Sequence, residues 1–204
     1  NHCSQVGKQL AILHKLTSDF SLSRQNGLHQ KYWISLFEKF KNNKENTYQY
    51  LFRSIEKELD FLNHHWPKDL PIGVIHADVF QDNVFFINNV FSGMIDFYFA
   101  CNDFFAYELA ICINAWCFED NSEINNDKLT TLVDGYQKQR NLTTKEVKAL
   151  PILLRGATMR ILLTRLHDQI YHPKGAFVQP KDPMEFYKIL EFHQKNKNLI
   201  IEIL

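Results

Sequence analysis

The residues whose types and spacing could do chemistry lie between His76 and Asp96. In His76-Ala77-Asp78-Val79-Phe80-Gln81-Asp82-Asn83, the carboxylate of Asp78 is followed five residues on by the amide of Asn83. A second carboxylate, Asp96, stands thirteen residues beyond Asn83 in Ile95-Asp96-Phe97. Between them, apolar runs at 84–87 and 90–95 flank Asn88-Asn89, and Asn tolerates the positive φ that a two-residue hairpin turn needs. Folding back at that turn brings Asp96 beside the loop of Asp78 and Asn83. A carboxylate and an amide oxygen facing one point make a hard-oxygen site suited to Mg²⁺, which keeps waters and phosphate oxygens as its other ligands. Asp78 is then free to take a proton from a hydroxyl. Each acid alone could simply cap its own turn. That reading suits Asp82; it does not account for Asp78, Asn83 and Asp96 together.

Phosphoryl-transferring loops use this layout, His-x-Asp-x-x-x-x-Asn with a later Asp before Phe. A lone His-x-Asp would be a weak signal. The five-residue step, the hairpin and Ile95-Asp96-Phe97 make it specific in combination. His76 itself is expected to bond backbone at the loop rather than to meet substrate.

These residues need a scaffold, and apolar spacing supplies it. Helices are predicted over 2–18, 29–41 and about 47–64, with a polar break at 42–46. Pro67 and Pro71 bracket an extended approach to a Gly73-Val74-Ile75 strand that feeds His76. Beyond Asp96, a helix runs through Tyr107 to about Cys117 and another covers about 127–139. Thr143 and Glu146 form a capping box that opens a short helix, and Pro151 restarts the chain as a long one to about Tyr171. Asp182-Pro183-Met184-Glu185 signals the start of a last helix reaching about 202. The expected fold is mainly α with one small β-hairpin holding the chemistry.

With 204 residues, 45% of them apolar, and 17 Phe, the chain can bury a sizeable core. Lys plus Arg balances Asp plus Glu at 23 each, so overall charge draws it neither to nucleic acid nor to an anionic membrane. No apolar run reaches the length of a membrane span. Cys3, Cys101, Cys112 and Cys117 lack paired spacing, as expected of reduced thiols in a cytoplasmic protein. Asn141-Leu142-Thr143 matches a glycosylation acceptor, but the capping box at Thr143 explains it more simply. None of the seven glycines lies within two positions of another, so the sequence contains no phosphate-covering Gly-rich loop. Together with a start at Asn1 rather than Met, this suggests a piece of a longer protein.

Val74-Ile75-His76-Ala77-Asp78 through Asn83, with Gly93-Met94-Ile95-Asp96-Phe97-Tyr98-Phe99-Ala100-Cys101-Asn102-Asp103, resembles the choline-kinase and aminoglycoside-phosphotransferase superfamily. Within it the chain is similar to the bacterial homoserine-kinase branch. Leu153-Leu154-Arg155-Gly156-Ala157 with Leu163-Thr164-Arg165-Leu166 carries that narrower likeness. So do Gly175-Ala176 with Pro180-Lys181-Asp182-Pro183, and Asn1-His2-Cys3 to Leu13-His14. The resemblance implies that 1–204 is the C-terminal lobe of a protein-kinase-like fold, its nucleotide-binding lobe preceding Asn1. It implies ATP-dependent phosphorylation of the homoserine hydroxyl, a step toward threonine, with Asp78 catalytic and Asn83 and Asp96 on Mg²⁺. Tyr107-Glu108-Leu109-Ala110 has Glu where the superfamily usually has Asp, so the longer Glu108 side chain must reach the same partners near the catalytic loop. Tyr98, where a Gly would follow Asp-Phe, removes the expectation of a mobile switch there.

Homoserine carries an ammonium and a carboxylate, so its pocket needs an acid and a base near Asp78. Asp103 is the candidate acid, with a helix N-cap as its alternative role. Arg155, Arg160 and Arg165, on an otherwise apolar helix, are the candidate bases. Arg160 is preferred because Met159 and Ile161 suggest enclosure. Each Arg could instead pair with Asp168, Glu108 or a helix end, because an unpaired buried guanidinium is costly. Three rival readings stand beside this one. The chain could be another small-molecule kinase of the superfamily, acting on choline, an aminoglycoside or methylthioribose. It could be a binding module without chemistry, inactive alone and self-associating through the apolar surface an absent lobe would cover. A metal hydrolase using Asp78, Asp96 and His76 is the weakest, because the other His residues show no metal-like spacing.

Overall fold

A computed structural model describes residues 2–43, 47–120, 122–173, 175–177 and 179–203. Of the polar break read at 42–46, residues 44–46 lie outside the described residues, as does Asn1. Three helices come first: α1 (His2–Leu16), α2 (Gln30–Phe40) and α3 (Phe52–His65). Four strands follow: β1 (Ile72–Ile75), β2 (Val84–Ile87), β3 (Val90–Met94) and β4 (Cys101–Phe104). The remainder is helical, with α4 (Phe105–Trp116), α5 (Asn126–Gln137), α6 (Thr144–Ile170), α7 (Pro183–Lys195) and the short α8 (Leu199–Ile203).

The hairpin forms where the twin asparagines place it. β2 and β3 pair antiparallel, with Ile87 opposite Val90 and Val84 opposite Met94. Asn88 and Asn89 have φ of 50° and 63°, both positive, as a turn matched to the twist of its strands requires. A second two-stranded sheet corrects the single-hairpin expectation. β1 pairs antiparallel with β4, Gly73 opposite Asp103 and Ile75 opposite Cys101. Cys-Asn-Asp-Phe lacks a clean alternation of apolar and polar residues, so nothing local marks it as a strand. Its pairing with β1 fixes it.

Two helix boundaries also differ from expectation. Thr144–Ile170 is one helix with Pro151 inside it, opened by the complete Thr143–Glu146 capping box. A proline in a helix interior costs about 3 kcal/mol. Leu150, Leu153, Leu154 and Ala157 are buried around it, and burial stabilises by about 1.5–3 kcal/mol per large apolar side chain. Packing outweighs the lost bond, and the helix continues. The expected last helix instead ends at Lys195, where Asn196 leaves helical geometry before α8.

The core is centred on α4, whose residues from Phe105 to Asn114 are all buried, against the middle of α6. On the other side α1 crosses α5 at close range. A Cβ at Gly7 would lie 2.0 Å from the Leu132 carbonyl oxygen, and one at Gly135 would lie 2.2 Å from that of Ser4. Both obstacles are backbone, so the helices themselves would have to separate. Gly7→Ala gains about 1 kcal/mol of helix propensity but meets an overpacking cost of about 1–3 kcal/mol. The clash should win. We predict a lower urea midpoint for Gly7→Ala; a midpoint at or above that of the parent protein would contradict the close crossing.

Candidate active site

β1 delivers the chain into a strained loop. Ala77 has φ of 65°, a left-handed conformation that costs a residue with a β-carbon of the order of 1–3 kcal/mol. Both of its peptide groups are held. The Ala77 N–H donates to Glu108 Oε1 at 2.6 Å, and its carbonyl accepts from Arg160 Nη1. Glu108 and Arg160 are buried, so neither hydrogen bond competes with water.

A buried chain of hydrogen bonds continues from Glu108. Glu108 Oε2 lies 2.6 Å from His14 Nε2, and His14 Nδ1 lies 2.8 Å from the Tyr136 hydroxyl. Arg140 donates to that hydroxyl at 3.1 Å and to Glu146 at 2.8 Å. One assignment of protons satisfies every member: Arg140 donates to Tyr136, Tyr136 to His14 Nδ1, and His14 Nε2 to Glu108. The chain ties the Ala77–Asp78 loop to α1, α5 and the first turn of α6.

His76 joins the two halves of the site. Its Nε2 donates to the Ile95 carbonyl at 2.9 Å, and its Nδ1 accepts from the Asp78 N–H at 3.2 Å. The Ile95 N–H donates in turn to the Asn83 carbonyl at 3.0 Å. Asp96 follows immediately, with φ of 61°, at the head of the short turn at 97–99. The outcome is one cavity of about 240 Å³ lined by Asp78, Asn83 and Asp96 together.

The donor set suits a hard divalent cation. Asn83 spends Nδ2 on the Asp78 carbonyl at 2.9 Å and on Asp78 Oδ2 at 3.1 Å, which leaves its oxygen Oδ1 to the cavity. Among the described residues no group of three or more His, Cys, Asp or Glu converges as a metal cage. Mg²⁺ commonly takes only one or two carboxylates and completes its shell with water and phosphate, so Asn83 and Asp96 would be sufficient protein ligands. Burial pushes the Asp78 carboxyl up from its ordinary value, against the lowering pull of Arg160 nearby. Lys181 does the opposite to Asp82, holding it low through a hydrogen bond of 2.9 Å.

The three arginines separate clearly. Arg155 forms a bidentate pair with Glu58 at 2.7 and 2.6 Å and packs over Phe61; it does not line the Asp78 cavity. Arg160 stands behind the loop, gripping the Ala77 carbonyl with Nη2 3.8 Å from Asp78 Oδ1. Arg165 lines the cavity itself, together with Lys181 and Thr164. Asp103 does not line the cavity of Asp78. It accepts from Asn26 at 2.7 Å and from the Phe104 N–H at 2.7 Å, and it lines a separate cavity of about 190 Å³ beside Trp33, Trp66 and Tyr107. Nor is it the N-cap of α4, which is Phe104. Sequence reasoning assigned no role to Lys181, whose basic side chain between two prolines was the available signal, or to His14, which aligns with Glu108 only in three dimensions.

A held carboxylate, an amide oxygen and a second carboxylate thus meet around one cavity of a mainly helical fold. The profile of the phosphotransferase enzyme family matches residues 1–142, and the chain belongs to that family. A homoserine kinase of Parvibaculum lavamentivorans is 51% identical over 193 residues, covering 95% of this chain and 60% of its own length. A homoserine kinase of Agrobacterium fabrum is 48% identical, covering 97% and 62%. The chain thus spans about 60% of the length of the curated relatives it matches. Among solved structures, a choline kinase from Cryptosporidium parvum superposes with a TM-score of 0.68 at 17% identity, covering 99% of this chain and 66% of that one. An ethanolamine kinase of Plasmodium vivax gives 0.67 at 13%, covering 99% and 60%. These two likenesses are of fold alone.

Two outcomes follow from the loop's geometry. Glu108→Ala leaves the Ala77 and His14 N–H groups without their acceptor, at about 1–3 kcal/mol each. It should lower the urea midpoint and speed hydrogen exchange at Ala77 and Asp78; unchanged exchange there would contradict the clamp. For Asp78 the folded-state pKa lies above the unfolded one, so its ionised form opposes folding at neutral pH. That penalty is relieved as pH falls, and is gone below the unfolded value of about 4. Asp78→Asn should therefore raise the unfolding midpoint at pH 7 in EDTA, with the gain vanishing toward pH 4. A loss of stability at pH 7 would contradict it.

Proposed function

We propose that this chain is the hydroxyl-activating, metal-holding part of an ATP-dependent homoserine kinase. The observation that carries the reading is the shared cavity of Asp78, Asn83 and Asp96, supported by homoserine kinases at about half identity over nearly the whole chain. Asp78, held by the Ala77 clamp, accepts the proton of the substrate hydroxyl or orients that oxygen for in-line attack on the γ-phosphorus of ATP. The products are O-phosphohomoserine, a precursor of threonine, and ADP. Mg²⁺ held by Asn83 and Asp96 would neutralise charge on the phosphates. Arg160 and Glu108 position the loop.

In this reading 1–204 forms one catalytic lobe, and the additional length of the relatives is room for a nucleotide-binding lobe. The exposed side chains of Phe85, Ile87, Val90 and Ile95 are the apolar face such a lobe would cover, and through which the isolated chain would self-associate. A cytoplasmic location fits this role. Among the described residues no helix is long and apolar enough to cross a membrane.

The whole gene product, given ATP and Mg²⁺, should form O-phosphohomoserine from L-homoserine, detected by phosphorus NMR. Asp78→Asn and Asp96→Ala should each lower kcat by roughly a hundredfold or more. Equal or faster turnover of choline, an aminoglycoside or methylthioribose would overturn the substrate assignment.

A further inference from the structure

A second cavity, of about 600 Å³, adjoins the one that holds Asp78. Phe80, Asp82, Arg165 and Lys181 line both, so two cations stand at the junction. The lining of the second cavity is otherwise rich in acid, with Glu119, Asp120, Asp182 and Glu185, the last of them beside Arg165. Arg165 is only 9% exposed, and its ring neighbour is Phe186, 4.5 Å from the guanidinium. Its counter-ion, Glu185, lies 2.6 Å away but is itself 56% exposed. A nearly buried guanidinium opposite a half-solvated carboxylate is poorly compensated for its desolvation. Among the described residues, both hydrogen bonds of Arg165 leave from Nη1, to Glu185 and to the Asp182 carbonyl. Its Nε and Nη2 edge is thereby kept for a further acceptor, in the fork geometry that fits a carboxylate.

Both cations at the junction are already paired, Arg165 with Glu185 and Lys181 with Asp82. A simple anion or a simple cation entering here would upset that balance. A zwitterion would not: it adds a negative group beside each cation and a positive group beside each carboxylate. We propose that the junction of the two cavities is an α-amino-acid subsite, in which Arg165 and Lys181 receive the carboxylate and Asp82 and Glu185 the ammonium. The side chain of the amino acid then extends from the junction into the first cavity, its hydroxyl toward Asp78. This assignment rests on the homoserine-kinase reading and adds to it the residues that distinguish an amino acid from an amino alcohol.

The test compares L-homoserine with 3-aminopropan-1-ol, which keeps the amine and hydroxyl but lacks the carboxylate. In the whole gene product, Arg165→Met should lower the ratio of kcat/KM for L-homoserine over 3-aminopropan-1-ol by roughly ten- to a hundredfold, the worth of a charge-assisted hydrogen bond. Lys181→Met, at a side chain 62% exposed, should move the same ratio in the same direction. A merely structural role would weaken both substrates alike and leave the ratio fixed, which would overturn the subsite. A rise in KM for ATP with the ratio unmoved would also overturn it, assigning the cations to phosphate. If the parent enzyme phosphorylates no L-homoserine at all, the function reading fails, and the subsite with it.

Discussion

Ala77 can hold its left-handed backbone only because both of its peptide groups have buried partners. Without the Glu108 carboxylate and the Arg160 guanidinium, the chain leaving β1 would relax toward an ordinary extended or helical conformation, and Asp78 would turn away from the hairpin. The strain is of the order of 1–3 kcal/mol, and two charge-assisted hydrogen bonds offset it at about 1.5–3 kcal/mol each. Both bonds together exceed the strain, whereas one alone would only about equal it. Enclosure keeps water from competing for either bond.

The same clamp gives the helices their relation to the site. Glu108 lies on α4, at the centre of the core, and passes the constraint to His14 on α1, to Tyr136 on α5 and to Arg140 and Glu146 where α6 begins. Arg160 reaches the loop from the middle of α6. The Asp78 carboxylate is thus referenced to four helices, whereas Asp96 is referenced to it locally through His76 and the Ile95–Asn83 bond. The proposed catalysis by positioning would draw on this rigidity, since effective concentration is lost when reacting atoms drift by as little as an ångström. The wall facing the second cavity is built differently, from an exposed Lys181–Asp82 pair and from a nearly buried Arg165 paired with a half-exposed Glu185.

What the sequence made legible was local. Asn88-Asn89 announced the hairpin because few residues accept consecutive positive φ, and Thr143 with Glu146 announced a helix start because the capping box is complete within four residues. The spacing of Asp78, Asn83 and Asp96 was readable for the same reason. Long-range contacts were not. β4 exists because β1 needs a partner, so its own four residues carry no signal. Pro151 looked like a boundary because the burial that overrides it comes from other helices. Arg155, Arg160 and Arg165 share one helix and one residue type; only the fold assigns the first to Glu58, the second to the back of the loop and the third to the cavity. Asp103 is close to Asp96 in sequence, yet its strand turns it toward Asn26.

Anomalous diffraction from Mn²⁺ in crystals of the whole gene product grown with a non-hydrolysable ATP analogue tests most directly whether this geometry is a phosphotransfer centre. The account predicts metal density bound by Asn83 Oδ1 and the Asp96 carboxylate, with Asp78 adjacent but uncoordinated. Metal collected instead by Glu119 and Asp120, or by Asp78 with Asp96 turned out to solvent, would contradict it.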